Sequence, residues 1–191
     1  MGSDDVARMW DANAEAWTVL SRAGYDQCRD LFNTPAFLAM LPDVSGRRGI
    51  DIGCGEGHNT RALADRGANM TGVDLAPTFV RHAREHEASE PRGIEYVEAD
   101  AASIPFEDDS FDFATAFMSL QDIAEQERAI SEARRLVRAG GFFQFSICHP
   151  CFQTSKWDWV LDENGKRTAL LVGDYFSRPS SRVEDIWRSA R

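Results

Sequence analysis

The sequence predicts a doubly wound α/β fold: a mainly parallel sheet in the order 3-2-1-4-5 with helices on both faces. Three observations carry this expectation. From Arg48 onward, short apolar runs alternate with amphipathic helical stretches, the pattern of successive βαβ units. A glycine-rich turn, Asp51-Ile52-Gly53-Cys54-Gly55-Glu56-Gly57, falls between the first strand and the first helix of that series. Aspartates then stand at the ends of the second and third strands, Asp74 and Asp100. Right-handed crossovers leave a binding crevice at the carboxyl ends of strands 1 and 4.

The elements follow in order. Residues 1–46 read as an N-terminal helical cap. Ser3 or Asp4 caps a first helix whose Val6, Trp10, Trp17 and Leu20 share a face at helical spacing, so both tryptophans are expected in the core. Gly24 breaks it, a second helical stretch carries Tyr25, Cys28 and Leu31, and a short third one after Pro35 carries Phe37, Leu38 and Leu41. Residues 47–149 read as the sheet-forming core, with strands at Gly49–Ile52, Asn69–Val73, Ile94–Glu98, Phe111–Phe117 and Phe142–Ile147. Helices fill the gaps at His58–Asp65, Thr78–Glu87 and Glu125–Val137, the last with an apolar stripe of Ala129, Ala133, Leu136 and Val137.

Composition narrows the function. The 191 residues carry 21 Lys and Arg against 31 Asp and Glu, a net charge of −10, which disfavours nucleic acid and anionic membrane surfaces as partners. No run approaches the roughly 18 apolar residues of a membrane span. The N-terminus opens on Asp4 and Asp5 instead of a basic region, so no signal peptide is read and a cytoplasmic setting is expected. Cys28, Cys54, Cys148 and Cys151 are too few and too scattered for a disulfide scaffold. Cys148-x-x-Cys151 leaves the fifth strand instead of opening a helix, and no second ligand pair accompanies it, so no metal site is expected.

The glycine loop and its aspartates describe a nucleoside ligand. Glycines at every second position let the chain turn tightly and let a ligand lie against bare backbone, and the helix starting near His58 adds free N–H groups. Asp74 lies 21 residues after Gly53, the distance at which a carboxylate meets vicinal ribose hydroxyls in doubly wound folds. Asp100 is placed to accept from an exocyclic amine. A dinucleotide fingerprint requires glycine or alanine where this chain has His58, so a nicotinamide-dependent oxidoreductase remains the weaker alternative.

The spacing G-x-G-x-G, preceded by an acidic residue two positions earlier, resembles the S-adenosylmethionine loop of class I methyltransferases, and the resemblance runs from about residue 10 to the end. It extends to Ile104-Pro105-Phe106 with Asp109-Ser110-Phe111-Asp112, and to Leu136-Val137-Arg138-Ala139-Gly140-Gly141; the chain looks most like small-molecule methyltransferases of the ubiquinone and menaquinone type. The resemblance implies S-adenosyl-L-methionine as cofactor. Asp51 would help hold the methionine amino group, with Gly53, Cys54 and Gly55 beneath the methionine and ribose. Asp74 would bind ribose, with Leu75 against adenine, Asp100 and Ala101 at the adenine amine, and Phe117, Met118 and Ser119 approaching the methionine moiety. The acceptor is expected to be a small molecule. A nucleic-acid amino methylase is disfavoured, because strand 4 ends in Met118-Ser119-Leu120-Gln121-Asp122 instead of the Asn/Asp-Pro-Pro-aromatic motif. A non-catalytic cofactor-binding module or an inactive fragment is the reading from another class.

A base is needed only where the nucleophile carries a proton. His149, directly after strand 5, is the candidate catalytic residue, with Asp122 as the weaker one and His58 on the cofactor side. The resemblance implies that residues 150–191, which carry Trp157, Trp159, Tyr175 and Phe176, are a substrate-side insertion, and a strand pair is expected near Trp157–Val160 and Thr168–Val172. The 44 residues after Ile147 are too few for the closing helix and strand pair of the family, so strands 6 and 7 of the sheet are expected to be missing. A homodimer partner or a further C-terminal segment is then expected to cover the edge of strand 5.

Overall fold

The computed structural model describes residues 2–149 and 156–174. The chain divides into two compact units, residues 1–147 and 148–191. In the first, β1 (Arg48–Ile52), β2 (Asn69–Asp74), β3 (Glu95–Glu98), β4 (Phe111–Phe117) and β5 (Val137–Ser146) form one parallel sheet in the order β3-β2-β1-β4-β5. The sequence-predicted order is the observed one.

Two apolar layers sandwich this sheet. On one face Ile50, Ile52, Val73, Phe111, Ala114 and Ala116 pack with Ala129, Ala133 and Leu136 of α5 (Gln126–Leu136). On the other, Met70, Tyr96 and Phe113 pack with Leu63 of α3 (His58–Ala64) and with Val80 and Ala83 of α4 (Pro77–Ser89). Each fully buried Ile, Val or Phe contributes roughly 1.5–3 kcal/mol relative to an exposed one, so these two layers are what hold the helices to the sheet. α5 runs directly into β5: Val137 already pairs with Phe111, and a register shift follows before Phe142 pairs with Phe113. The strand therefore starts five residues earlier than its apolar run, and Gly140, at φ 82°, lies within the irregular stretch.

The N-terminal segment departs further from expectation. α1 (Ser3–Arg22) is capped by Gly2, whose N–H donates to the Asp5 carboxylate at 3.2 Å. Its buried face is Val6, Ala14, Thr18 and Ser21, against Ala76 and Phe79. Trp10 joins that cluster, but Trp17 is 47% exposed and touches the molecule edge-on through Trp10, and Leu20 also faces outward. The shared apolar face expected from spacing therefore splits, because the small residues approach α4 closely and leave the large ones outside. The second helical stretch is a π-helical turn, Arg29–Asn33, continuing into α2 (Thr34–Ala39). Its buried residue is Arg29, while Tyr25, Leu31 and Phe32 are exposed.

In the second unit β6 (Lys156–Leu161) and β7 (Arg167–Gly173) pair antiparallel as a separate sheet. The strand pair expected near Trp157 and Thr168 exists, and the parallel sheet has five strands with none paired to the far side of β5 among the described residues. Among those residues no helix is long and apolar enough to cross a membrane, and no cluster of three or more His, Cys, Asp or Glu is arranged to hold a metal ion. Cys151, Tyr175 and Phe176 lie outside the described residues.

Candidate cofactor site

The sheet register builds the site. β1 is central, and its pairing sets Asp51 opposite Gly72 of β2 and Thr115 of β4. Asp51 is 2% exposed. Its Oδ1 accepts from the Thr115 hydroxyl at 2.8 Å and its Oδ2 from the Thr60 hydroxyl of α3 at 2.7 Å. Burial pushes this carboxyl up to about 6; the two hydroxyls oppose the rise, and the charge of Asp74 adds to it.

Beyond β1 the chain turns through Gly53 at φ 71° and Gly55 at φ 55°. The Gly53 and Cys54 N–H groups both donate to the Val73 carbonyl, at 2.8 and 3.0 Å, fastening the loop to the end of β2. A Cβ on Gly53 would lie 2.4 Å from Ser119 Cβ. Ser119 is itself fixed, its hydroxyl donating to the Ile52 carbonyl at 2.6 Å, so the loop is clamped between the ends of β2 and β4. At Gly55 the opposite holds: a Cβ would meet nothing within 4 Å. The loop thus has one side pressed onto protein and one side facing open space.

Asp74 borders that space. Its Oδ2 accepts from the Gly55 N–H at 2.8 Å and its Oδ1 from the Ala76 N–H at 2.9 Å. Burial raises its carboxyl, and the backbone donors oppose the rise. Each oxygen keeps a second lone pair for a ligand hydroxyl. Leu75 is half-buried beside it and Ala101 is buried. Asp100 Oδ1 accepts from the Ala102 N–H at 2.8 Å, closing the turn after β3. Phe117, Met118 and Ser119 are half-buried at the end of β4, where Met118 takes φ 54° and its N–H donates to the Ser146 carbonyl at 3.0 Å.

The loop and strand-end positions from Asp51 to Ser119 therefore do not all play one part. Asp51 is walled in, Gly53 and Ser119 form the clamp, and Gly55 with Asp74 faces the opening. Cys54 is an inert thiol, since burial pushes its pKa well up. Burial, and then the charge of Arg29, lower the pKa of His58. Asp122, on a short 3-10 turn (Leu120–Asp122) past β4, is an exposed residue, but partial desolvation by the surrounding protein raises its carboxyl. His149 is exposed three residues past the end of β5, in the second unit.

Sequence patterns alone do not mark Thr60, Thr115, Glu56, Arg61 and Arg22 as part of this region. Thr115 carries a signal: a lone hydroxyl in the apolar strand Phe-Asp-Phe-Ala-Thr-Ala-Phe must find a buried partner. The others carry none, because their partners lie on separate elements.

Fold and site together define a doubly wound nucleoside-binding protein whose crevice, at the switch point between β1 and β4, has the Asp74 carboxylate beside the open side of the glycine loop and the Asp51 carboxylate buried in β1. The chain belongs to the class I S-adenosylmethionine-dependent methyltransferases: the methyltransferase domain family matches residues 50–145. It is 34% identical over 140 residues to a demethylmenaquinone methyltransferase of Clavibacter sepedonicus, covering 71% of this chain and 55% of that one. A solved S-adenosylmethionine-dependent methyltransferase from Mesorhizobium loti superposes with a TM-score of 0.65 at 33% identity, covering 75% of this chain and 65% of the other. The [4+2]-cyclase SpnF superposes at 0.67 with 25% identity, covering 75% of this chain and 59% of that one. The chain spans about half the length of the curated relatives it matches.

Proposed function

We propose that this protein binds S-adenosyl-L-methionine in the β1–β4 crevice and transfers its methyl group to a small-molecule acceptor. The observation that carries the reading is the pairing of two desolvated carboxylates, Asp51 and Asp74, with a glycine loop that is open on one side at Gly55. Carboxyls raised by burial gain more from a cationic ligand than from the anionic pyrophosphate of a dinucleotide. When bound, the cofactor supplies an activated methyl on a sulfonium.

The chain's own residues then bind and orient. Asp51 supplies negative charge behind the methionine amino group, with Gly53, Cys54 and Gly55 as the floor. Asp74 accepts from the ribose hydroxyls, Leu75 flanks the adenine, and Asp100 and Ala101 meet its amine. Phe117, Met118 and Ser119 line the methionine end. Methyl transfer needs alignment and exclusion of water more than proton chemistry. For an acceptor that must lose a proton, His149 is the proposed base. Asp122 is a second, favoured by its place past β4 and a carboxyl that partial desolvation makes more basic. In this reading residues 1–46 cap the core at 47–149, residues 150–191 serve the acceptor, and the edge of β5, unpaired among the described residues, is covered by a homodimer partner. The Cys28 and Cys54 thiols accord with a reducing, cytoplasmic setting.

Calorimetric titration with S-adenosylmethionine and with NADH tests the site, and the expected result is binding of the first alone. Because SpnF carries a cyclase name on this fold, binding does not decide the reaction. A screen across phenols, quinone precursors, amines and carboxylates, read by product mass, is expected to show a gain of one methyl group with release of S-adenosylhomocysteine. Binding without turnover on any acceptor would favour a non-catalytic module.

A further inference from the structure

Arg22, in the last turn of α1, reaches two other parts of the molecule. Its Nε donates to Glu56 Oε2 at 3.0 Å, and its Nη2 donates to the His82 carbonyl of α4 at 3.1 Å. Glu56 is the residue between Gly55 and Gly57 in the glycine loop, and it is 4% exposed. Its carboxylate also accepts from Arg61 Nη2 at 3.0 and 2.9 Å, and Arg61 Nη1 donates to the Glu56 carbonyl at 2.6 Å. One buried loop carboxylate is thus shared by two guanidinium groups.

The two arginines differ in what they transmit. Arg61 sits five residues from Glu56, on the helix that follows the loop directly, and travels with it. Arg22 is 34 residues away, on a helix packed against α4. Among the described residues the other polar ties of α1 to the sheet-forming half run to α4: Asp11 accepts from the Thr78 N–H at 2.8 Å, and Glu15 meets Arg81 at 2.9 Å and His82 at 3.0 Å. Of these α1 residues, Arg22 alone touches the loop. A loop shift that drew Glu56 from Arg22 would strip a buried carboxylate of one of its two counter-charges, so loop position and helix docking bias each other.

We propose that Arg22 is a positioning residue that couples the N-terminal helix to the glycine loop through Glu56, so that filling the crevice and docking α1 are one equilibrium. The proposal rests on reading the loop as the cofactor site. Coupling is reciprocal: what tightens α1 strengthens binding at the loop by the factor that binding tightens α1.

The test pairs calorimetry with hydrogen exchange over residues 3–22, using S-adenosylhomocysteine as the probe. In the wild type, the probe is expected to slow exchange in α1. Arg22→Met is expected to raise Kd about tenfold, within the 5–150-fold range usual for coupled sites, and to abolish that slowing. Arg22→Lys, which keeps a charge within reach of Glu56, is expected to recover most of both. Arg81→Met loosens α1 from α4 without touching the loop, and is expected to leave Kd within about twofold and the slowing intact. Should Arg22→Met fail to fold, Glu56→Gln, which keeps the volume and removes the charge, is expected to give the same two losses. A wild-type Kd in Arg22→Met, persistent protection of α1 in that variant, or equal loss in Arg81→Met overturns the proposal alone. Absence of probe binding to the wild type overturns the cofactor reading and the proposal with it.

Discussion

The carboxyl ends of β1 and β2 and those of β4 and β5 belong to one sheet but are built differently. At the first pair, each carboxylate oxygen of Asp51 and Asp74 has a named donor, and the loop is fastened to both neighbouring strands. At the second, Met118 takes a left-handed backbone, Asp122 sits exposed on a short turn, and Phe145 and Ile147 are each 48% exposed. One end is held by paired donors, and the other is more open and less tied; under the proposed function the first would hold the cofactor and the second would admit the acceptor.

Substitutions break this contrast in graded steps. The largest effect is expected at Gly53, where a side chain meets both a left-handed φ and Ser119 2.4 Å away. Gly53→Val should cost roughly 3 kcal/mol of stability from strain and overpacking together, read by denaturant unfolding, and should abolish cofactor binding. Asp51→Asn comes next. It removes the buried charge and turns an amide N–H toward one of the two threonine donors, so cofactor affinity should fall ten- to a hundredfold, the ~1.5–3 kcal/mol of a hydrogen bond to a charged group. Thr115→Val deletes one donor to Asp51, and about 1 kcal/mol, or fivefold in Kd at neutral pH, is expected. Asp122→Asn should leave cofactor Kd unchanged while lowering kcat on any acceptor that must be deprotonated. A loss of cofactor affinity there would erase the contrast.

Much of the cofactor end is legible in the sequence because it rests on local rules. Glycines at alternate positions and aspartates at strand ends announce themselves through backbone geometry and strand length. What surrounds them does not. The Thr60-Asp51-Thr115 clamp needs the β1–β4 register, and the Arg22-Glu56-Arg61 cluster joins residues from α1, the loop and α3. Trp17 misleads for a related reason: helical spacing reports which residues share a face, and packing against α4 then selects the small ones. The early start of β5 is hidden by a bulge, which apolar runs do not reveal.

The central claim is that negative charge at Asp51 selects a cationic nucleoside ligand, and pH is its most direct probe. With the folded carboxyl raised to about 6 and an unfolded value near 3.9, the folded chain binds more protons than the unfolded one between those values. Stability of the empty protein through this group is therefore fully present below about pH 4 and lost as pH rises through about 6. Cofactor affinity runs the other way, because a cation prefers the ionised form. S-adenosylmethionine titrated calorimetrically from pH 5 to 8 should show Kd level above about 6.5 and rising toward tenfold per pH unit below 6, with that rise absent in Asp51→Asn. A wild-type Kd indifferent to pH across this range, or tighter binding of NADH than of S-adenosylmethionine, would contradict the account.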